Sequence, residues 1–379
     1  MMWSLAAVLQ RRNPTARQQG FLHQIHLDVQ LLVGLIVMTG FSLVVLYSAS
    51  GQEMGLVVGQ IIRLLLAFTV MTVMAQIPPQ HYTFWSPWLY LIGLLLLLAV
   101  LGIGSIGGGA QRWLGYGSVR FQPSEIMKLA VPMLVAWFLA EKSMPPKKRY
   151  LFIALIIIMI PAALIAKQPD LGTALLVASS GFIVIFFAGI RWRLIFFAIV
   201  SLIPLAWVLW AFVMKEYQKQ RVLTMFNPEQ DALGSGYHII QSKIAIGSGG
   251  LFGKGWLNGT QSHLDFIPEQ STDFVFAVIA EEFGLIGVIL LLTVYFFIIS
   301  RGLYIASQAQ DTYSRLLAGS LTMTFLVYLT VNLGMVTGIL PVVGVPLPLV
   351  SYGGTSVVTL MAAFGILMSI HTHRRMLST

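Results

Sequence analysis

Three carboxylates fall within one short run, Gln270-Ser271-Thr272-Asp273-Phe274 through Glu281-Glu282-Phe283-Gly284, that otherwise reads as the first half of an apolar helix. Only 14 of the 379 residues are acidic. A charge at the centre of a membrane-spanning helix costs roughly 2.5–3.5 kcal/mol, so such groups usually face a wet cavity, a partner charge or a substrate. A carboxylate at the mouth of a helix can take a proton from a hydroxyl, orient it, or ligate a hard metal ion. Ser271-Thr272-Asp273 before an apolar run also has the form of an ordinary helix start, where a first-turn Asp complements the helix dipole. Local sequence leaves both readings open. A helix N-terminus depresses a carboxylate pKa, so an ionised but weakly basic Asp273 is expected. Metal ligation by Asp273 then stands beside proton abstraction. Glu281 and Glu282 follow eight and nine residues later, rotated by about 80° and 180°, so they cannot both join Asp273. Pairing with a Lys or a polar cavity and lining a substrate channel are equally open to them.

Further polar groups punctuate the apolar chain. Arg112 and Trp113 stand in a Gly-rich segment, the Arg suited to bidentate phosphate contacts and the Trp to stacking on a sugar face or anchoring at a membrane interface. Glu125 and Lys128 are three apart, on one face of a helix, as a packing ion pair or as part of a cleft with Arg112 and Trp113. Asp170 follows Pro169 and has the form of an N-capped helix start after a Pro-enforced break. Lys243 lies in Tyr237-His238-Ile239-Ile240-Gln241-Ser242-Lys243-Ile244-Ala245-Ile246, which has the spacing of a short amphipathic helix. Ser351 belongs to 341–354, an apolar stretch studded with Pro and Gly. Irregular backbone at membrane depth survives only where protein or a watery cavity satisfies it, so this stretch should border a cleft. The Gly-rich 247–255 fails the Walker pattern, because Ser248 replaces its first Gly and Gly255 its Ser or Thr. It reads as a hinge or turn.

Apolar runs of about 20 residues, the length that crosses hydrocarbon, must position these groups. They fall near 29–48, 56–77, 84–104, 122–140, 150–166, 171–189, 194–214, 272–300, 313–338 and 349–370, giving an all-α, polytopic integral membrane protein of about ten spans. The organisation expected is a tail at 1–28, a membrane domain at 29–370 with a long loop at about 215–271, and a tail at 371–379. With both termini cytoplasmic, Arg11, Arg12, Lys147, Lys148, Arg149, Arg191, Arg315, Arg374 and other cations collect inside, as the positive-inside rule requires. The 215–271 loop and Asp273 then face outward.

Composition agrees: 57% apolar, 10% charged and a mean hydropathy of +0.83 exclude an ordinary soluble surface. The net charge of +9 is spread in short clusters between spans, which points to anionic lipid and not to nucleic acid. There is no Cys, so thiolate and disulfide chemistry are excluded. Ser4–Leu9 is too short for the apolar region of a signal peptide.

Ala110-Gln111-Arg112-Trp113-Leu114, Phe121-Gln122-Pro123-Ser124-Glu125, Gln168-Pro169-Asp170-Leu171-Gly172-Thr173, Gly236-Tyr237-His238, Thr272-Asp273-Phe274 and Gly338-Ile339-Leu340-Pro341, with the stretches that follow the last three, stand in this order along the chain. Together they resemble the bacterial SEDS family (shape, elongation, division and sporulation), in particular its rod-shape members, from about residue 25 to the C-terminus. The resemblance implies a ten-helix membrane glycosyltransferase that polymerises lipid II into peptidoglycan strands, releasing undecaprenyl pyrophosphate. It also implies residence in the bacterial inner membrane and a class B penicillin-binding protein among other elongation-complex partners. The family's catalytic aspartate matches Asp273, and Arg112, Trp113, Glu125, Lys128, Asp170, Lys243 and Ser351 are the candidate substrate contacts. A divalent cation, Mg or Mn, is implied with no organic cofactor. A flippase for the same precursor and a non-catalytic scaffold are the competing classes. The first is disfavoured because Arg112, Asp170, Lys243 and Asp273 are expected on one face, the second because it leaves Asp273 unexplained.

Overall fold

The computed structural model describes residues 25–107, 110–116, 119–190, 196, 200, 204, 207, 209–214, 216–231, 235–263 and 269–373. Three helices come first: α1 (Val29–Ala49), α2 (Met54–Gln76) and α3 (Pro79–Ile103). A small antiparallel sheet follows, β1 (Ser105–Gly107), β2 (Ala110–Tyr116) and β3 (Val119–Phe121), in the order β1-β2-β3. This sheet departs from the all-helical reading. Gln111-Arg112-Trp113-Leu114-Gly115-Tyr116 shows no strict polar–apolar alternation and is short and glycine-flanked, so it passes for a loop in the sequence.

Next come α4 (Pro123–Ala140), α5 (Lys148–Lys167) and α6 (Leu171–Phe187). The long loop contains α7 (Glu216–Phe226), α8 (Ser235–Gly249) and the single turn α9 (Thr260–His263). The chain closes with α10 (Val275–Ser307), α11 (Thr312–Val336) and α12 (Thr355–Thr372). Eight of these helices are long and apolar enough to cross a membrane, and α6 is a shorter apolar helix. Most of the span expected at 194–214 lies outside the described residues, as do the tails at 1–24 and 374–379.

Helices α4, α11 and α12 form the buried centre, while α2, α3 and α5 carry broad exposed apolar flanks such as Ile62, Leu65, Phe84 and Phe152. Lipid is as apolar as Leu, so close association depends on small residues that let backbones approach. Gly181 of α6 sits against Ile158 of α5, Gly302 of α10 against Thr322 of α11, and Gly365 of α12 against the backbone of Met71 in α2.

At the end of the bundle holding both described chain ends, Asp28 caps α1 through Leu31 N (2.8 Å). It also takes Nη2 of Arg301 (2.6 Å) and pairs with Nδ1 of His371 (2.8 Å). Burial pushes the Asp28 carboxyl up, but the hydrogen bonds from His371, Arg301 and the Leu31 amide outweigh it and hold the group well below the usual carboxylate range.

Helix α10 is broken at Gly284, whose φ of 62° and ψ of −164° are not helical. The glycine-rich 250–255 turn repairs the break as a strand would. Lys254 N and Gly255 N donate to the carbonyls of Glu281 and Glu282 (3.0 and 2.9 Å), while Leu285 N and Ile286 N donate to Gly250 and Leu251 (3.0 and 3.1 Å). A Cβ at Gly253 would stand 2.1 Å from the Glu282 carbonyl oxygen, so only glycine fits. This turn is therefore a docked element that satisfies backbone freed within the membrane. Glu281 is buried beneath it, accepting from Lys254 Nζ (2.7 Å), Thr260 Oγ1 (3.1 Å) and Gln261 N (2.9 Å), and Glu282 accepts from Ser48 Oγ.

Candidate active site

Asp273 ends the turn that leads into α10 and does not cap that helix. Phe274 occupies the N-cap position with no side-chain cap bond. Of the two readings of Asp273 the cap thus falls away, and the depressed pKa expected at a helix N-terminus gives way to a different environment. Burial first, and then the negative charge of Glu269, push the Asp273 carboxyl up to about 6. Among the described residues its carboxylate has no ion pair.

The position of Asp273 is fixed through its backbone. Asn332, fully buried in α11, donates through Nδ2 to the carbonyls of Asp273 (2.8 Å) and Val345 (2.7 Å). Ser351 Oγ donates to Thr272 O (2.5 Å) and accepts from Leu347 N (2.7 Å), and Tyr352 N donates to Ser271 O (2.8 Å). The irregular 341–354 stretch is therefore laced to residues 271–273, which satisfies the backbone that Pro and Gly free from helical pairing. At Gly344 (φ 70°) an added Cβ would meet Asp273 Oδ2 at 3.5 Å, so the carboxylate lies over this stretch. The ring of His238, from α8, stacks on Phe274 at 5.5 Å between centroids.

Replacing Asn332 with Leu should leave two buried carbonyls unpaired, at about 1–3 kcal/mol each. A thermal-unfolding comparison should show a loss of at least about 2 kcal/mol. An unchanged midpoint would mean that the turn holds itself.

Arg112, on β2, lines a pocket open to solvent and bordered by Asp170, Gly172, Gln218, Arg221 and Val343. Arg112 Nη1 lies 3.5 Å from Asp170 Oδ2, which also accepts from Gln122 Nε2 (3.0 Å), while Asp170 Oδ1 caps α6 through Thr173 N (3.2 Å). Capping and pocket lining are thus the same placement of Asp170. The 341–344 stretch carries Val343 at the pocket wall and Gly344 beside Asp273, so the pocket and the carboxylate share one border.

The other candidates disperse. Trp113 is adjacent to Arg112 on a strand, where successive side chains point to opposite faces. Glu125 and Lys128 pair at 2.6 Å, buried in the first two turns of α4, and border a different cavity with Tyr328, whose ring centroid is 5.1 Å from Lys128 Nζ. The exposed Lys243 lies across Gly338, where an added Cβ would be 2.8 Å from its Nζ. Arg112 and Asp170 therefore come together beside Asp273, while Trp113, Glu125, Lys128 and Lys243 occupy other faces.

Sequence reasoning missed Asn332, Arg221, whose Nη1 donates to Val342 O (3.3 Å), and Arg63. Arg63 sits within α2 with Cζ 4.3 Å from the centroid of the Tyr352 ring. A lone Arg or Asn in an apolar span was the signal available for two of them.

Residues 22–376 match the model of the FtsW/RodA/SpoVE cell cycle protein family. The chain belongs to that family. It is 55% identical to the peptidoglycan glycosyltransferase MrdB of Escherichia coli over 358 residues, covering 94% of this chain and 97% of that one. Among solved structures, it is similar to a chain from work on structural coordination of polymerization and crosslinking by a peptidoglycan synthase complex. That similarity has a TM-score of 0.79 at 32% identity, covering 92% and 99% of the two chains. It is also similar to the rod shape determining protein RodA of Thermus thermophilus, with a TM-score of 0.69 at 28% identity over 91% and 96%. Membership agrees with the SEDS resemblance of the sequence motifs. No group of three or more His, Asp or Glu in metal-ligating arrangement occurs among the described residues.

Proposed function

We propose that this chain is a peptidoglycan glycosyltransferase that joins lipid II disaccharides into glycan strands at the outer face of the bacterial inner membrane, with release of undecaprenyl pyrophosphate. The observation that carries the reading is Asp273, a carboxylate with a pKa of about 6 beside a pocket that holds Arg112. A base whose pKa lies near the working pH takes a proton most effectively. In this reading Asp273 accepts the proton of the acceptor sugar hydroxyl as that oxygen attacks the donor's anomeric carbon. The bond to pyrophosphate breaks, and Arg112, displaced from Asp170 or bridging to it, meets the departing charge.

A divalent cation, Mg or Mn, would find its oxygen donors in Asp273 and its charged neighbour Glu269, with the substrate supplying the rest. Such an ion, when bound, supplies neutralisation of pyrophosphate charge. A class B penicillin-binding protein that cross-links the strands, within the wider elongation complex, is the partner this reading requires. A flippase remains the alternative class; the one-sided placement of Arg112, Asp170 and Asp273 favours the polymerase.

Purified protein given lipid II should make glycan strands, and its rate should fall as pH drops through about 6, because protonation removes the base. A limb that holds near 6 at every cation concentration identifies a base, whereas a limb that shifts with cation concentration identifies a ligand competing with protons. No strands with or without the partner would refute the activity.

The outward orientation is tested by placing a single Cys at position 258, a clean label because the native chain has none. Labelling from outside intact cells is expected. Labelling only after access to the cytoplasm would reverse the topology and move the chemistry to the other face.

A further inference from the structure

Arg63 is set well within α2, about 14 Å below the first residue of the helix at 1.5 Å per residue. The other cations well inside described spans have carboxylate partners: Lys128 has Glu125 and Arg301 has Asp28. Among the described residues Arg63 has none. Its guanidinium lies over Tyr352, and its buried Nη1 makes no hydrogen bond. One turn away on the same face, Gln60 is 1% exposed, and neither its amide oxygen nor its nitrogen has a partner. Two polar groups on adjacent turns of a lipid-flanked helix are thus left unsatisfied, which buried polar groups rarely are.

Their surroundings tie them to the active-site turn. Tyr352 N donates to Ser271 O (2.8 Å), and an added Cβ at Gly354 would lie 3.5 Å from Arg63 Cδ. The outward flank of α2 beside Arg63 carries exposed Ile62, Leu65 and Leu66, an apolar path for a long hydrocarbon tail.

We infer that Arg63 and Gln60, backed by Tyr352, form a site for a phosphate-type anion carried on a membrane lipid, and that the anion is the polyprenyl pyrophosphate of the glycosyl donor. The source rests on the glycosyltransferase reading; the anion chemistry does not. The guanidinium fork matches two phosphate oxygens, and the Gln60 amide adds a donor on the same face. The Tyr352 ring holds the guanidinium plane from the other side.

The test uses the full chain in nanodiscs of zwitterionic lipid, titrated separately with undecaprenyl pyrophosphate and with phosphatidylglycerol and read by native mass spectrometry. Arg63→Ala should weaken pyrophosphate binding about tenfold or more, the scale of a lost charge-assisted contact. Arg63→Lys should recover only part of it, and phosphatidylglycerol binding should not change. Thermal unfolding of both variants establishes that they are folded, and Arg63→Lys carries the test if Arg63→Ala is not. Loss of phosphatidylglycerol alone would assign the anion to a bilayer headgroup and overturn the substrate source. Unchanged binding of both lipids would overturn the site. Asp273→Asn should retain pyrophosphate binding while losing polymerisation, so failure of this site and failure of the proposed activity give different results.

Discussion

Asp273→Asn should reduce lipid II polymerisation by about 100-fold or more, the usual scale for a lost general base, while the protein folds, inserts and binds its partner. Asn keeps the shape of the side chain and would serve equally well as a helix cap, so a capping role predicts nearly full activity. The folded protein places no cap bond on Asp273, which removes the physical basis for that outcome. A second consequence has the opposite sign. The folded carboxyl has a pKa raised from 3.8 to about 6, so the native state binds the proton more tightly than the unfolded chain does. The stability this provides is fully present below about pH 3.8 and is lost as pH rises through 6. At neutral pH Asp273→Asn is therefore expected to melt at or above the wild-type temperature. A variant that is both more stable and inactive is the signature of a residue kept for chemistry. Normal polymerisation by Asp273→Asn on purified protein would transfer the catalytic assignment to Asp170 or Glu125.

Lys128→Met should be the most damaging single change to stability. Glu125 and Lys128 are 4% and 8% exposed and 2.6 Å apart, and removing one partner leaves an uncompensated buried charge, a loss of about 3–5 kcal/mol. The double variant Glu125→Gln with Lys128→Met should regain most of that loss, because neither residue is then charged. Thermal unfolding of the two singles and the double gives the coupling directly. If the double recovers stability and polymerisation together, the pair serves helix packing. If stability returns without activity, the cavity it borders with Tyr328 takes part in the reaction.

Hydropathy alone was sufficient to place nine of the helices, because hydrocarbon imposes a length and an apolar composition that a single chain cannot disguise. Breaks at Pro169, at 341–354 and ahead of Asp273 were equally legible, since Pro and Gly act through their own backbone. The chemistry-bearing residue types were visible too, because a charge in so apolar a chain has few bland explanations. The family followed from motif order.

What the tertiary structure decided was who faces whom. Arg112 and Asp170 are far apart in sequence and meet only because β2 projects one side chain towards the cap of α6. Trp113, its neighbour, is turned away by the strand alternation. Glu281, open in the sequence to pairing with a lysine or to lining a channel, is paired with a lysine from a glycine turn that repairs the break at Gly284. The pKa of Asp273 was read in the wrong direction, because a helix start in sequence says nothing of burial or of Glu269 beside it. Asn332 and Arg63 stood out only as lone polar residues in apolar spans, and their roles rest on the carbonyls and the ring that other segments bring to them. Composition and local backbone chemistry act within one segment and can be read there; pairing, burial and electrostatics are properties of segments packed together.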